Sequence, residues 1–191
     1  CKNWLGWEPV VLSSKDYPWW GVDSDGGLTL DYDKYDEDVE FALPTILDGK
    51  LVNGISEGCF QGLDGLKSLG LPANFTWIGA DAFRDCVNLN AFSMDAVETI
   101  GDGAFYNCDS LTNIALSWNC TSVGVDAFAE CSYLNAVTLN EGLTTLGDCA
   151  FQSCGSLASI YIPGTVEYVG ASAFAGCYSL NTAAIGAGVK V

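Results

Sequence analysis

The sequence predicts a right-handed solenoid with a parallel β-sheet along one face, short helical turns, about six coils and a hairpin-like N-terminal cap. Three observations support this fold class. Six copies of a segment of 22 or 23 residues follow one another, each copy ends in a short alternating stretch, and residues 1–38 contain no copy. One strand and one turn cannot bury their apolar faces alone, so the copies must stack on one another.

The repeat is most easily aligned on a phenylalanine. The aligned residues are Phe60, Phe83, Phe105, Phe128, Phe151 and Phe174, separated by 23, 22, 23, 23 and 23 positions. The surrounding segments read IGADAFRDCVNL, IGDGAFYNCDSL, VGVDAFAECSYL, LGDCAFQSCGSL and VGASAFAGCYSL, with ISEGCFQGLDGL as a degenerate first copy. We expect each phenylalanine to be buried. At about 4.8 Å per strand, six coils would extend over roughly 25–30 Å.

Two further features of the repeat predict the conformation of its backbone. Apolar residues alternate with small or polar ones after each phenylalanine, which is the period of a half-buried strand. The predicted strands are centred on residues 68–71, 91–94, 113–116, 136–139, 159–162 and 182–185. A glycine also precedes each phenylalanine by four residues from the second copy onward, namely Gly79, Gly101, Gly124, Gly147 and Gly170. This column suits either a turn with positive φ or a close approach of two backbones.

These segments resemble the BspA-like branch of the leucine-rich repeats, whose pattern is close to IGxxAFxxCxSLxxIxIPxxVTx. The resemblance covers Val39 to Val191, and Phe41 to Ile55 looks like the segment that leads into the family's first full coil. The chain departs from the pattern at Leu63, which replaces the first cysteine, and keeps the proline after the strand only at Pro72 and Pro163. The resemblance implies a leucine-rich-repeat solenoid in a secreted or surface-attached protein of gut and oral anaerobes or mucosal protists. It also implies adhesion or binding, and it supplies no catalytic residues.

We therefore divide the chain into a tryptophan-rich acidic cap, residues 1–38, and a leucine-rich-repeat solenoid, residues 39–191. Residues 28–32 and 39–43 both alternate and could pair as a hairpin across the acidic turn between them. A solenoid end exposes an apolar core and an open strand edge, which a cap would cover. We expect a monomer that is part of a longer chain.

The charge balance excludes several classes of function. The 191 residues include 24 acidic and 7 basic side chains, a formal net charge of -17, and no histidine. Nucleic acids and anionic membranes require clustered Lys and Arg, so neither is an expected partner. The lack of histidine removes imidazole bases and the usual catalytic zinc sites. No apolar run reaches the length of a membrane span, so we expect no membrane insertion. No pair of carboxylates is set across a cleft, and we do not expect an enzyme.

Cysteines occupy one column, three residues after the phenylalanine. They are Cys86, Cys108, Cys131, Cys154 and Cys177. Metal ligands must converge tetrahedrally, and a column of stacked residues does not provide that arrangement. We expect these cysteines to be small buried hydrophobic residues in the reduced state.

An acidic segment at the end of the cap is the weak candidate for a cofactor site. Asp31, Asp33, Asp36 and Asp38 are dense enough to collect a hard cation such as Ca²⁺. The alternative is a solvated acidic surface that aids solubility. Our expectation is no cofactor, with calcium as the weaker alternative.

Aromatic residues outside the core columns are the candidate ligand-binding residues. They are Tyr17, Trp19, Trp20, Trp77, Tyr161 and Tyr168. Solvent-facing rings suit stacking on sugar rings, and they are also common in protein-binding hot spots. Trp19 and Trp20 have a second interpretation, since they could instead seal the cap. Trp77 and Tyr168 share a repeat column four coils apart, about 19 Å along the axis at the usual strand spacing.

We predict a non-catalytic recognition module at the cell surface or outside the cell, binding a neutral polysaccharide. A net charge of -17 repels uronates, whereas ring stacking is indifferent to charge. Two alternatives remain. The chain could be an adhesin that binds a host or surface protein, or a structural spacer in a larger secreted protein.

Overall fold

The structure is a computed structural model that describes residues 10–33 and 43–189, and these form a parallel β-solenoid of about seven turns. The strands are β1 (Val11–Leu12), β2 (Trp20–Val22), β3 (Gly27–Leu30), β4 (Ile46–Leu47), β5 (Lys50–Leu51), β6 (Gly54–Ile55), β7 (Ser68–Gly70), β8 (Trp77–Ile78), β9 (Ala91–Ser93), β10 (Thr99–Ile100), β11 (Asn113–Ala115), β12 (Ser122–Val123), β13 (Ala136–Thr138), β14 (Thr145–Leu146), β15 (Ser159–Ile162), β16 (Tyr168–Val169) and β17 (Thr182–Ile185). Each full coil contributes one strand to each of two different faces.

The first face carries the predicted strands. β7, β9, β11, β13, β15 and β17 lie where the alternating stretches predict them. They pair in parallel as β7 with β9, β11 with β13, and β15 with β17, which gives three separate two-stranded sheets. We call these three sheets together the paired-strand face.

The second face is a continuous sheet of eight strands in the order β16-β14-β12-β10-β8-β6-β3-β2, which we call the long sheet. Its pairs from β3 to β16 are parallel, and β2 joins β3 in an antiparallel hairpin. Six of its strands, β6, β8, β10, β12, β14 and β16, occupy the same position in successive copies and have two residues each. The alternating stretches of the sequence do not predict this sheet.

The third side of each coil is a turn, and the prediction of short helical turns there is wrong. No helix occurs within residues 10–33 and 43–189. Each turn has two residues with left-handed φ four positions apart, such as Asp81 at 51° and Asp85 at 60°, and a left-handed residue interrupts a right-handed helix. Alternate N–H groups donate instead to the next coil, as Phe83 N–H does to the Ala104 carbonyl at 2.8 Å.

The core between the three sides is built on the phenylalanine column. The rings of neighbouring coils stack in parallel, with centroids 5.0 Å apart between Phe105 and Phe128 and 5.2 Å apart between Phe128 and Phe151. The first five phenylalanines of the column are fully buried, as predicted, while Phe174 in the last described coil is partly buried.

The cysteine column is buried beside these rings. Each thiol donates a hydrogen bond to the carbonyl of the phenylalanine in the preceding coil; Cys131 Sγ reaches Phe105 O at 3.2 Å, and Cys154 Sγ reaches Phe128 O at 3.2 Å. Burial raises the pKa of all five thiols, and the pKa of Cys86 reaches about 12. The cysteines therefore link adjacent coils as neutral donors.

The glycine column follows the two-residue strands of the long sheet. None of these glycines has a positive φ, so that part of the expectation is wrong. The close approach of backbones is confirmed, because a Cβ on Gly147 would lie 2.4 Å from the carbonyl carbon of Gly124. Only a residue without a side chain permits this spacing.

The N-terminal end of the long sheet is closed by the hairpin of β2 and β3. The proposed pairing of residues 28–32 with 39–43 cannot be described, because residues 39–42 lie outside the described part of the chain; within it, β3 pairs with β2 and β6. Trp20 is 4% exposed, and its ring lies edge-on to Phe60 with centroids 6.0 Å apart. The division at residue 38 stays a prediction.

Candidate binding surface

The register of the long sheet aligns one outward-facing residue from each strand. From β3 to β16 this column reads Gly27, Gly54, Trp77, Thr99, Ser122, Thr145 and Tyr168. The next residue of each strand is buried or nearly so, as Ile100 and Leu146 are. Since successive residues of a strand point to opposite faces, the column faces solvent. We call it the outer column.

The indole of Trp77 lies flat against the first two members of the column. A Cβ on Gly54 would fall 2.2 Å from Trp77 Cε2, and a Cβ on Gly27 would fall 2.5 Å from Trp77 Cη2. Trp77 remains partly exposed. The two glycines therefore provide the space in which the ring rests on the sheet.

Tyr168 stands at the other end of the column and is 52% exposed. Its hydroxyl donates to Asp148 Oδ1 at 2.9 Å, and the same carboxylate accepts the N–H of Ala171 at 2.8 Å. The hydrogen bond to Asp148 and the charge of this carboxylate raise the pKa of Tyr168. The phenol is thus neutral and oriented by a carboxylate that is itself fixed to the backbone.

Between the two rings, three hydroxyl side chains form the middle of the column. They are Thr99, Ser122 and Thr145. Within the described residues, these hydroxyls have no hydrogen-bonding partner in the protein, in contrast to Thr144, whose hydroxyl donates to Thr121 O at 2.9 Å. They remain available to a ligand.

A shallow open groove of about 480 Å³ follows this part of the sheet. Gly101, Gly124 and Gly147 of the glycine column form part of its floor, and Asp102 and Asp148 also line it. Asp102 accepts the N–H of Val125 at 2.8 Å. No lysine or arginine lines the groove, so its only charged lining residues are acidic.

The other candidate residues lie elsewhere. Tyr161 is 47% exposed on β15 of the paired-strand face, so it does not join Trp77 and Tyr168 in the outer column. Trp19 and Trp20 are 9% and 4% exposed, and Tyr17 packs edge-on against Trp19 with ring centroids 5.6 Å apart. This burial favours the cap interpretation of the two tryptophans, and we do not place Tyr17, Trp19 or Trp20 on the binding surface.

The calcium candidates are only partly described. Asp31 and Asp33 are close in space, since Asp33 N–H donates to Asp31 Oδ1 at 3.2 Å, whereas Asp36 and Asp38 lie outside the described residues. Among the described residues, no group of three or more His, Cys, Asp or Glu side chains could hold a metal ion. Calcium binding at this segment stays a prediction.

Three strongly exposed aromatic residues were not among the candidates. Trp118 is 84% exposed, Tyr133 61% and Tyr178 93%. A signal was available in the sequence, because the equivalents of Trp118 in the other coils are small or charged. They are Ala73, Ala96, Glu141, Gly164 and Ala187. A position that tolerates these residues does not require a buried ring.

Three features define a leucine-rich-repeat solenoid: the stacked phenylalanines, the hydrogen bonds from thiols to carbonyls of the preceding coil, and the parallel pairing of strands from neighbouring coils. The family model of the BspA-type leucine-rich repeat region matches residues 53–181 with six copies, and the chain belongs to this family. The leucine-rich repeat family is typically one of non-enzymatic scaffolds. No curated protein matches the sequence.

Solved structures of bacterial leucine-rich-repeat proteins share the fold. The T. pallidum leucine-rich repeat protein TpLRR is 28% identical with a TM-score of 0.78, over 86% of this chain and 78% of that one. A Eubacterium ventriosum protein is 28% identical with a TM-score of 0.62, over 69% of this chain and 35% of that one. A leucine-rich cell surface protein from Faecalibacterium prausnitzii is 22% identical with a TM-score of 0.55, over 87% of this chain and 52% of that one. This chain thus spans about half or less of two of these three proteins.

Residues 10–33 and 43–189 contain no helix with the length and apolar character of a membrane span.

Proposed function

We propose that the chain is a non-catalytic recognition module of a secreted or cell-surface protein, and that the groove over its long sheet binds a neutral polysaccharide. The outer column carries this proposal, since it sets two partly exposed rings, Trp77 and Tyr168, at the ends of three free hydroxyls. The fold also occurs in a protein described as a leucine-rich cell surface protein, which supports the proposed location.

The dimensions of the column suit an extended chain of sugars. Trp77 and Tyr168 are four strands apart, about 19 Å at the usual strand spacing. A polysaccharide lying along the column could stack one sugar on each ring and offer its hydroxyl groups to Thr99, Ser122 and Thr145 between them. The glycine floor lets the ligand approach the backbone closely.

The acidic side chains along the groove favour a neutral polysaccharide over an anionic one. Glu98 and Glu167 precede Thr99 and Tyr168 in the sequence, and Asp102 and Asp148 border the groove. With no basic residue along the groove, an anionic sugar polymer would be repelled, whereas a neutral one would not.

The same carboxylates do not suggest catalysis. Asp102 and Asp148 each accept a backbone N–H, and Asp148 also accepts the Tyr168 hydroxyl. Both side chains therefore hold adjacent coils together, which agrees with a binding role.

The test is the affinity of neutral glucans and of a polyuronate for the protein, measured by affinity electrophoresis and calorimetry. Tyr168→Ala should weaken glucan binding about 3- to 10-fold, the loss of one stacked ring, with little change in the thermal transition because the ring is exposed. Thr145→Val should also weaken it, whereas Thr138→Val, the matched change at an exposed position of β13 on the paired-strand face, should not.

Two results would overturn the proposal. Binding of the polyuronate in preference to the glucans would contradict the charge argument. Equal effects of Thr145→Val and Thr138→Val would show that the outer column is not the site. If no glycan binds, the adhesin alternative gains support from the exposed rings of Trp118, Tyr133 and Tyr178.

A further inference from the structure

We propose a second binding surface where the paired-strand face meets the turns that lead to the long sheet, formed by Trp118, Glu141 and Tyr161, that takes an arginine side chain from a protein partner. We call these three residues the Trp118 surface. It lies on different strands and turns from the outer column, so the inference goes beyond the proposed polysaccharide site and does not depend on it.

The exposure of Trp118 is the first observation. A tryptophan that is 84% exposed leaves a large apolar ring in water, which is unusual for this residue type. The fold does not need the ring there, because the other coils place Ala, Glu or Gly at the equivalent position.

The second observation is the arrangement of the three side chains. Trp118 and Glu141 occupy equivalent positions of consecutive coils, about 4.8 Å apart along the axis. The two turns are in close contact, since a Cβ on Gly142 would lie 3.2 Å from Trp118 O. The hydroxyl of Tyr161, one coil further, donates to Glu141 Oε1 at 3.3 Å. The Glu141 carboxylate thus accepts a hydrogen bond from an exposed phenol in the next coil, and its turn packs on the turn that carries the exposed indole.

Third, a buried polar network supports the turns that carry this surface. Ser117 and Asn140, which directly precede Trp118 and Glu141, are two of the four buried polar residues in the described chain. Asn140 Nδ2 donates to Ser117 O and, at 3.0 Å, to Cys120 O. Ser117 Oγ donates to Val97 O and accepts Asn119 N–H at 3.1 Å. The surface is therefore presented on backbone that is held in place before a partner binds.

Charge identifies the occupant. Residues 85–189 contain ten Asp and Glu side chains and no Lys or Arg, so this half of the molecule offers a cationic partner no repulsion and no competing internal cation. A guanidinium group stacks on an indole face and pairs with a carboxylate through its planar fork of donors. An ammonium group lacks this planar match, so arginine is favoured over lysine.

The experiment uses the 191-residue chain and two synthetic Gly/Ser-spaced peptides, one with three arginines and one with three lysines, as probes in calorimetry at 150 mM salt. We expect the arginine peptide to bind more tightly than the lysine peptide. Trp118→Ala and Glu141→Gln should each weaken arginine binding at least 5-fold and leave the thermal transition within 2 °C, because both side chains are exposed.

Matched controls separate this site from diffuse attraction by the acidic half. Glu130→Gln removes the same charge in the same half, and Tyr178→Ala removes another exposed ring; both should change arginine binding less than 2-fold. Equal losses for Glu130→Gln and Glu141→Gln, or equal affinity for the two peptides, would overturn the proposal. So would no binding of the arginine peptide. Tyr168→Ala, which tests the polysaccharide groove, should leave the arginine affinity unchanged.

Discussion

The long sheet and the paired-strand face are produced by the same repeat, yet only the first is continuous. Eight strands of the long sheet pair without interruption, whereas the other face divides into three pairs. The glycine column follows the long-sheet strands directly, and a Cβ on Gly170 would lie 2.2 Å from Asp148 N. The absence of side chains at this column brings the coils into uninterrupted contact there and leaves a flat, side-chain-free floor.

The difference between the faces separates two kinds of surface. The long sheet offers a periodic row of short polar residues between two rings, which suits a repetitive ligand. The paired-strand face and its adjoining turns present isolated exposed rings such as Trp118 and Tyr161, which suit a point contact with a protein. One repeat can therefore carry two recognition surfaces, because its columns vary independently.

The largest expected effect is on the core that both faces share. Phe128→Ala removes a fully buried ring that is stacked between Phe105 and Phe151, and it should lower the free energy of unfolding by about 3–5 kcal/mol. Chemical denaturation measures this. Tyr178→Ala removes a ring that is 93% exposed and should change the stability by less than about 0.5 kcal/mol. Similar losses for the two variants would contradict the assigned core.

Much of this core was predictable from the sequence. The phenylalanine spacing identified the buried rings, and the alternating stretches identified all six strands of the paired-strand face, because strands of three or four residues show the period of two. The two-residue strands of the long sheet are too short to show that period. From β8 onward their signal was the glycine that follows each strand, and the meaning of this glycine depended on contacts between coils.

The turns and the exposed rings were harder to predict for different reasons. Asp81 and Asn107 belong to residue types that adopt left-handed φ comparatively readily, but Glu130 and Cys149 do not, so residue type alone does not indicate such a turn in every coil. Trp19, Trp20 and Trp118 are all tryptophans outside the core columns of the repeat. Only the three-dimensional position of the hairpin over Phe60 shows that Trp20 is buried, whereas the small or charged equivalents of Trp118 in the other coils already indicated that Trp118 is not.

The second prediction concerns a substitution that should destabilise the long sheet selectively. Gly147→Ala would place a Cβ 2.4 Å from Gly124 C, against backbone that cannot move without separating two coils. We expect a loss of about 1–3 kcal/mol, the usual cost of overpacking, together with weaker glucan binding because the groove floor is distorted.

Gly155→Ala is the matched control for this substitution. Gly155 does not have a positive φ, and the atom nearest to a Cβ added at this position would be Ser132 O, at 4.0 Å. Its replacement should be neutral, or stabilising by about 0.4–1 kcal/mol through the unfolded state. Equal destabilisation by the two alanines would show that the glycine column does not hold the long sheet together.

A smaller effect is expected from the thiols that link the coils on the turn side. Cys131→Ala removes a buried thiol and its hydrogen bond to Phe105 O, and it should cost about 1–2 kcal/mol. In the native state, alkylation without reductant should leave Cys108, Cys131 and Cys154 unmodified and should modify them once the chain unfolds. A native disulfide between any two of these residues, detected by mass spectrometry, would contradict the neutral donor role.

The smallest effect concerns the hairpin that closes the long sheet. Asp23 follows β2 and accepts the N–H groups of Asp25 at 2.9 Å and Gly27 at 2.8 Å, as well as the hydroxyl of Ser56 after β6. Desolvation is the largest single influence and raises the pKa of Asp23. The hydrogen bonds from Ser56 and the backbone together outweigh it, so the pKa lies below its usual 3.8.

A carboxyl group whose pKa is lowered by folding stabilises the folded state above its unfolded pKa, and this contribution disappears as the pH falls through the folded pKa. Asp23→Asn should therefore lower the stability at pH 7, by less than about 1 kcal/mol because the site is open to solvent. The difference from the parent protein should shrink as the pH falls below about 3.8. Thermal unfolding from pH 7 to pH 2.5 measures this difference, with Asp25→Asn removing the same charge from the same turn as a control. A difference that stays constant over this range, or one that Asp25→Asn reproduces, would mean that the ionised Asp23 does not hold the hairpin to the long sheet.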